Sequence, residues 1–435
     1  MSPHLEDPIE IGGLELKNRL YRAPLLEHAG NGEESADILV NELEPAAAGG
    51  AGLIMQGAMP VRTGEGCAAP LMSFADDPEF IQGLSAVPEA VHRHGGRIFA
   101  QLGHGGIKSL ETWHGEYKRR WPDTKQQAVS ELPWIWALAD RLGLMDFDLN
   151  VLSTQEVYDL ASEIGTAARH LVDAGYDGIH LAGATMGIFQ QFASPFYNHR
   201  DDEFGGSLSG RAYFWKVVHD EIRSRAGDVP LTTKVPAETD APWWIRTHLT
   251  LDDGIELCRM MESFGYDAVV PVTETPFWDQ SIVKGEFPER SWQEARFQEG
   301  YVEAFGSELR YRLVKAAARF NARDNDFKPG WNEEFCRRVR SRVEIPVLQV
   351  GGIRDRPQID RLLESGACDM VGMGRPFYAE PMLAARILHD EDASVICENC
   401  NNCIPPQVVG ESGVCRTPEI LKQHGRLKRD GAYDR

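Results

Sequence analysis

The chain has 435 residues, 42% of them hydrophobic and 26% charged. That fits one large α/β domain with insertions, or two or three ordinary domains, and excludes a disordered or fibrous protein. Its 45 basic and 66 acidic residues leave a net charge of -21, which excludes a broad grip on nucleic acid or anionic lipid unless a local basic patch supplies one. The short basic runs at Lys118 to Arg120 and in "RLKRD" read as solvated loops. The amino end has no basic segment followed by an apolar run, and no apolar stretch reaches the ~18 residues of a membrane span. A cytoplasmic protein with no membrane attachment is expected.

In chain order, β-rich apolar runs ending in Gly or polar residues alternate with segments of helical spacing. The runs are "RLYRAPL", "AGLIMQGAMPV", "GRIFAQLGHGG", "YDGIHLAGA", "PLTTKVPAE", "YDAVVPVTET", "IPVLQVGGI" and "CDMVGMGRPF". Eight repeated βα units predict an α/β fold of the (β/α)8 TIM-barrel type. Between the fourth and fifth runs, Leu208, Ala212, Trp215, Val218 and Ile222 form one helical stripe that should pack on the sheet. Two connections are too long for simple loops: about residues 107–152 after the third run and about 276–344 after the sixth. Loops that follow strands build the active-site face of a barrel, so these insertions should wall it. They hold Trp113, Trp121, Trp134, Trp136, Trp278, Trp292 and Trp331, which either pack the insertions as satellite cores, the more frequent outcome, or line an aromatic pocket. The barrel is expected over 1–390, with a cysteine-rich segment and tail over 391–435.

Two motifs at the last runs, "VGGIRD" and "GMGRPF", place glycines where backbone N–H groups can approach a phosphate and Arg375 where it can add a charge-assisted contact; tight turns are the alternative. Four cysteines, Cys67, Cys258, Cys336 and Cys368, are scattered and read as free thiols. The other four, Cys397, Cys400, Cys403 and Cys415, are separated by two, two and eleven residues. Three cysteines two apart plus a distant fourth is iron-sulfur spacing, so a 4Fe-4S cluster is expected, with structural zinc or a metal-free remnant as alternatives.

The runs above, together with "AGGAGLIM" and above all "QQFASPFYNHRDDEFGGSLSGRAYFW", follow one another as in the Old Yellow Enzyme superfamily of FMN-dependent barrel oxidoreductases, which the chain resembles over about residues 5 to 390. With "CENCNNC" and a fourth cysteine, it looks like the branch of 2,4-dienoyl-CoA reductase and trimethylamine dehydrogenase, whose barrels carry a 4Fe-4S cluster. The resemblance implies FMN at the carboxyl end of the barrel, with Pro24 and Leu25 against the isoalloxazine, Gly57 beside it and Gln101 on the pyrimidine edge. Lys234 stands where the family usually has arginine, near flavin N1 and O2, and Gly352, Gly374 and Arg375 would hold the phosphate.

Departures from the pattern bear on function. Relatives read "HGAH" or "HGAN" on the fourth strand, then a tyrosine two residues on. This chain reads "LAGATMG", with Ala182 and Thr185 at the anchoring positions and Gly187 at the tyrosine position, so the usual proton donor is missing. Leu26 stands where relatives often have a polar group. Thr185, His28 and His104 are the candidate replacements, and His180 is expected inside the barrel.

The expected activity is hydride transfer between FMN and an organic substrate, with electrons passed through NAD(P)H or the cluster. A dehydrogenase or demethylase of an amine or hydrophobic metabolite is one alternative, and an electron-transfer subunit with a degraded pocket is another. No GxGxxG follows a strand to bind a second dinucleotide. The expected partners are therefore an apolar or aromatic small molecule and a separate electron-transfer protein; a homo-oligomer is compatible.

Overall fold

The computed structural model describes residues 3–110, 113–276, 283–322 and 327–434. Eight parallel strands form its centre: β1 (Leu20–Arg22), β2 (Leu53–Pro60), β3 (Arg97–Gly103), β4 (Gly178–Leu181), β5 (Leu231–Ala237), β6 (Ala268–Thr273), β7 (Leu348–Val350) and β8 (Met370–Met373). They pair in the order β6-β5-β4-β3-β2-β1-β8-β7. A parallel bridge between Val269 and Val347 closes the sheet on itself. The fold is a (β/α)8 TIM barrel, and each of the eight runs contributes one strand.

One helix follows each strand on the outside: α1 (Ser35–Ala48), α2 (Ala86–His92), α3 (Thr154–Asp173), α4 (Leu208–Ala226), α5 (Leu251–Phe264), α6 (Glu333–Arg340), α7 (Arg356–Glu364) and α8 (Leu383–His389). Local chemistry starts several of them. Reciprocal side-chain and backbone bonds join Ser153 to Glu156 at α3 and Thr250 to Asp253 at α5, two capping boxes that satisfy N-terminal N–H groups. On α4, Ala212, Trp215, Val218 and Ile222 are buried as the stripe requires, and Leu208 is half-buried at the helix start.

Period-two alternation splits the core. Tyr21, Leu53, Met55, Phe99, Val270 and Met370 fill the barrel, while Leu20, Ile54, Ile98, Ile179 and Val371 face the helices. Toward the carboxyl ends the inward residues turn polar, with Gln101 beside His180 and His180 beside Thr232 across the sheet. That is where a site can form.

The first insertion contains a parallel strand pair, Gln126–Ala128 with Leu149–Val151, and a helix over Trp134–Arg141 that seats Trp136 against Phe147. The second contains three helices, Glu289–Gln293, Ala295–Ala304 and Glu308–Asn321, and it also includes α6, which is an ordinary barrel helix. Trp292, Phe297, Tyr301, Phe305 and Tyr311 form a satellite core there, and Trp113 of the first insertion stacks on Phe305 at 5.3 Å. Trp121 packs on Phe74 and Tyr117, Trp134 is largely exposed, and Trp331 lines a cavity described below. Trp278 lies outside the described residues. Among the described residues no helix is long and apolar enough to cross a membrane.

Candidate active site

Two cavities meet at the carboxyl ends of the strands. The first, about 200 Å³, lies between Gly352, Gly374, Trp331 and Lys234. The second, about 330 Å³, is lined by Gln101, His104, Lys108, Ala182, Thr185 and Gly187 among others. Pro24, Leu25, Thr185, Lys234, Val283 and Arg375 border both, so they are one hollow with two lobes. The structure thus brings Pro24, Leu25, Gln101, Lys234, Gly352, Gly374, Arg375, His104 and Thr185 together. Gly57 and His28 border a smaller neighbouring void instead.

Gly57 sits at a β-bulge of β2, between Gln56 and Ala58. A Cβ there would fall 1.7 Å from the Leu25 carbonyl oxygen, so only glycine lets the Pro24–Leu25 loop lie on β2. Its N–H donates to Glu27 Oε2 (2.9 Å), and Arg22 donates to Glu27 Oε1 (3.0 Å). Burial raises the Glu27 pKa, with Arg22 and the Gly57 N–H opposing.

Gln101 is buried with Nε2 unpartnered. Lys234 is partly buried; desolvation lowers its pKa against the pull of Glu274. Gly352 borders the first lobe, is left-handed (φ +73), and has no room for a side chain, since a Cβ would meet the Gly330 backbone nitrogen at 2.4 Å. Arg375 is placed differently from a simple phosphate ligand. It donates to the carbonyls of Val283 (3.4 Å) and Lys284 (2.9 Å) and to Asn401 Oδ1, so it ties the second insertion to the cysteine-rich segment.

The imidazoles differ in environment. At His104, Nδ1 accepts from the Gly106 N–H (3.0 Å), which puts the proton of the neutral ring on Nε2, 4.0 Å from Glu65 Oε2. His28, left-handed at φ +54, donates from Nδ1 to the Pro70 carbonyl (2.7 Å) and interacts with the Gln407 side chain; burial lowers its pKa. His180 is inside the barrel as expected, bonded to Thr232 Oγ1 (2.8 Å), and desolvation with nearby Lys234 holds it neutral.

Other participants carried no reading from the sequence. Tyr378 donates to the Leu26 carbonyl (3.0 Å), while Ile404 and Gln407 of the cysteine-rich segment wall the second lobe. The glutamines of "QQFASPF" were legible as a motif but not as a clamp. Gln191 Nε2 donates to the carbonyls of Met186 (2.6 Å) and Gly105 (2.9 Å).

Cys397, Cys400, Cys403 and Cys415 line one small pocket with Arg375, Tyr378 and Arg416. Asn399 (φ +58) and Asn401 (φ +57) are left-handed, the alternation that turns backbone N–H groups toward an anionic centre. Burial pushes Cys403 up to about 12 and Cys415 up to about 11, with Arg375 opposing at Cys403. Among the described residues no group of three or more His, Cys, Asp or Glu is arranged to hold a single metal ion.

Comparison with known proteins places this geometry. The model of the NADH:flavin oxidoreductase / NADH oxidase family matches residues 4–258 and 293–393. The 4,4'-dithiodibutanoate disulfide reductase of Rhodococcus erythropolis is 25% identical over 429 residues, 98% of each chain. Cinnamate reductase of Clostridium sporogenes is 27% identical over 421 residues, 91% of this chain and 54% of that one. The solved structure of histamine dehydrogenase from Rhizobium sp. 4-9 superposes with a TM-score of 0.71 at 22% identity, covering 96% of this chain and 53% of that one. The chain therefore spans nearly all of the first relative but about half of the other two. On the matched motifs and the barrel that carries them, the chain belongs to the NADH:flavin oxidoreductase / NADH oxidase family.

Proposed function

We propose that the chain binds FMN over Pro24 and Leu25 and reduces an apolar or aromatic small molecule in the second lobe. The observation that carries this is the lining of that lobe, where Leu26, Pro60, Ala68, Met72 and Ile404 surround the polar groups of Gln101, His104, Lys108 and Thr185. The residues present fit FMN. The bare Gln101 Nε2 offers a donor to a ring carbonyl, Lys234 offers a cation, and Gly352 lines the first lobe where a phosphate would sit. When bound, FMN supplies reversible hydride chemistry.

The chain's own residues orient the substrate and carry protons. Thr185 borders both lobes and its hydroxyl would hold a substrate oxygen, while His104 keeps a proton on Nε2 at the wall of the second lobe. The apolar walls exclude water. His28, which borders the neighbouring void and interacts with Gln407 of the second lobe's wall, is a second proton carrier. The reductive direction is supported by two relatives named as reductases. NAD(P)H or a separate protein would supply the electrons. We read the four cysteines as ligands of a 4Fe-4S cluster, which the shared pocket and flanking arginines suit, and which would exchange single electrons. The four scattered thiols, Cys67, Cys258, Cys336 and Cys368, fit a reducing cytoplasm.

A second reading, oxidation of an amine or a saturated metabolite, is favoured by Ala182 and Gly187, which border the lobe with no side-chain donor. Anaerobic stopped-flow on protein reconstituted with FMN separates the two. Bleaching of the flavin by NADH and recovery on mixing with cinnamate or a dialkyl disulfide supports reduction; bleaching by an amine alone supports the second reading. Protein that retains no FMN ends both.

A further inference from the structure

The wall of the second lobe contains an improbable turn. Thr185 (φ +69) and Met186 (φ +56) are consecutive left-handed residues, neither is glycine, and one is β-branched. Such backbone persists only where its surroundings over-determine it. Here the Thr185 carbonyl accepts from Lys108 Nζ (2.7 Å), the Met186 carbonyl accepts from Gln191, and the Met186 N–H donates to Gln190 Oε1 (2.7 Å).

The last bond requires the Gln190 amide to face one way, and Glu238 decides which. Gln190 Nε2 donates to Glu238 Oε1 (3.0 Å) and to the Thr275 carbonyl (3.1 Å). Glu238 Oε2 is already taken by Ser194 Oγ (2.8 Å) and the Leu249 N–H (2.8 Å). Gln190, Ser194 and Glu238 are fully buried. We propose that Gln190 and Glu238 are positioning residues for the lobe: the Glu238 carboxylate sets the Gln190 amide, which holds Met186 and thereby aims Thr185 at the substrate. This deepens the reading of the second lobe as the substrate site and rests on it.

The chemistry makes the clamp sensitive to one proton. Oε2 receives two donors and Oε1 only one, so a proton added to Glu238 sits preferentially on Oε1, facing Gln190. An O–H there finds an acceptor in the flipped amide, and the flip sets Nε2 against the Met186 N–H, donor against donor, and Oε1 against the Thr275 carbonyl. Burial pushes the Glu238 carboxyl up to about 7. Around it, Arg211 on α4 is drawn to both Glu238 and Asp253 but spends its hydrogen bonds on the carbonyls of Ala193 and Gly206. At the neighbouring strand ends, Asp240 pairs with Lys284, and Glu274 acts on Lys234.

Hydrogen exchange read by mass spectrometry tests this on the full chain without substrate. After correction for intrinsic rates, protection of the Met186 amide should fall about tenfold as pH drops through about 7, the loss of one buried hydrogen bond, while α3 stays protected. Glu238→Gln, whose NH2 must also face Gln190, should show the low value at every pH. Adding Gln190→Glu should restore it, since that carboxylate accepts from both Met186 and the new amide. A flat wild-type profile, or a double variant no better than the single, overturns the proposal. If Glu238→Gln does not fold, the wild-type profile decides. Retention of FMN by the same samples is scored separately, so failure of the flavin reading is told apart from failure of the clamp.

Discussion

Removing the Glu27 carboxylate exposes how the floor under the Pro24–Leu25 loop is held. Arg22 and Glu27 pair at 3.0 Å with side chains 2% and 5% exposed. In Glu27→Leu, Arg22 keeps the Met55 carbonyl at 3.3 Å, and the Gly57 N–H loses its partner. Breaking a buried pair from one side costs about 3–5 kcal/mol, and the orphaned N–H adds about 1–3 kcal/mol. Glu42, also drawn to Arg22, offsets part of this, so about 4 kcal/mol is expected. Arg22→Met with Glu27→Leu removes both charges and should recover most of the loss, leaving chiefly the Gly57 term. Urea denaturation of the two variants and the parent supplies the comparison. If the double variant is as unstable as the single, an uncompensated buried charge is not the cause and the reasoning fails.

Trp292→Ala should cost about 3–5 kcal/mol by hollowing the satellite core of the second insertion, measured by thermal denaturation. Gln101→Ala should weaken FMN retention about tenfold in a fluorescence titration, one hydrogen bond to a buried acceptor. Cys415→Ser should abolish stoichiometric iron and sulfide after anaerobic reconstitution; zinc without sulfide in the parent would remove the cluster reading. The Glu238 carboxyl, raised in the folded state, contributes stability that is complete below its unfolded value and is lost as pH rises through about 7. The melting temperature should therefore fall as pH rises from about 4.5 to about 7 and level off above that, and Glu238→Gln should flatten that slope.

The strands were legible because burial on both faces writes a parallel strand as a short apolar run, and "RIFAQLG" or "AVVPVT" needs no partner to be recognised. The bridge that closes the barrel, Val269 to Val347, left no local sign. In the site, the family resemblance implied Pro24, Gln101, Lys234 and the final glycines, and they line one hollow because they sit on or just after the ends of parallel strands. His28 matched the same logic yet faces a side void, since its left-handed backbone turns the ring toward Pro70. Arg375 was legible as a cation at a strand end, but its partners come from residues 283, 284 and 401.

The sequence alone determined what short-range spacing can encode: the eight βα units, the glycines at the last strands, the family pattern, and four cysteines at iron-sulfur intervals. Tertiary structure decided which polar groups share one hollow and which way they face. Gln190 and Glu238 stand 48 residues apart, and the orientation of one amide depends on the lone pairs of the other's carboxylate. Backbone periodicity is set by near neighbours, whereas hydrogen-bond direction inside a buried network is set by contacts that exist only once the barrel has closed.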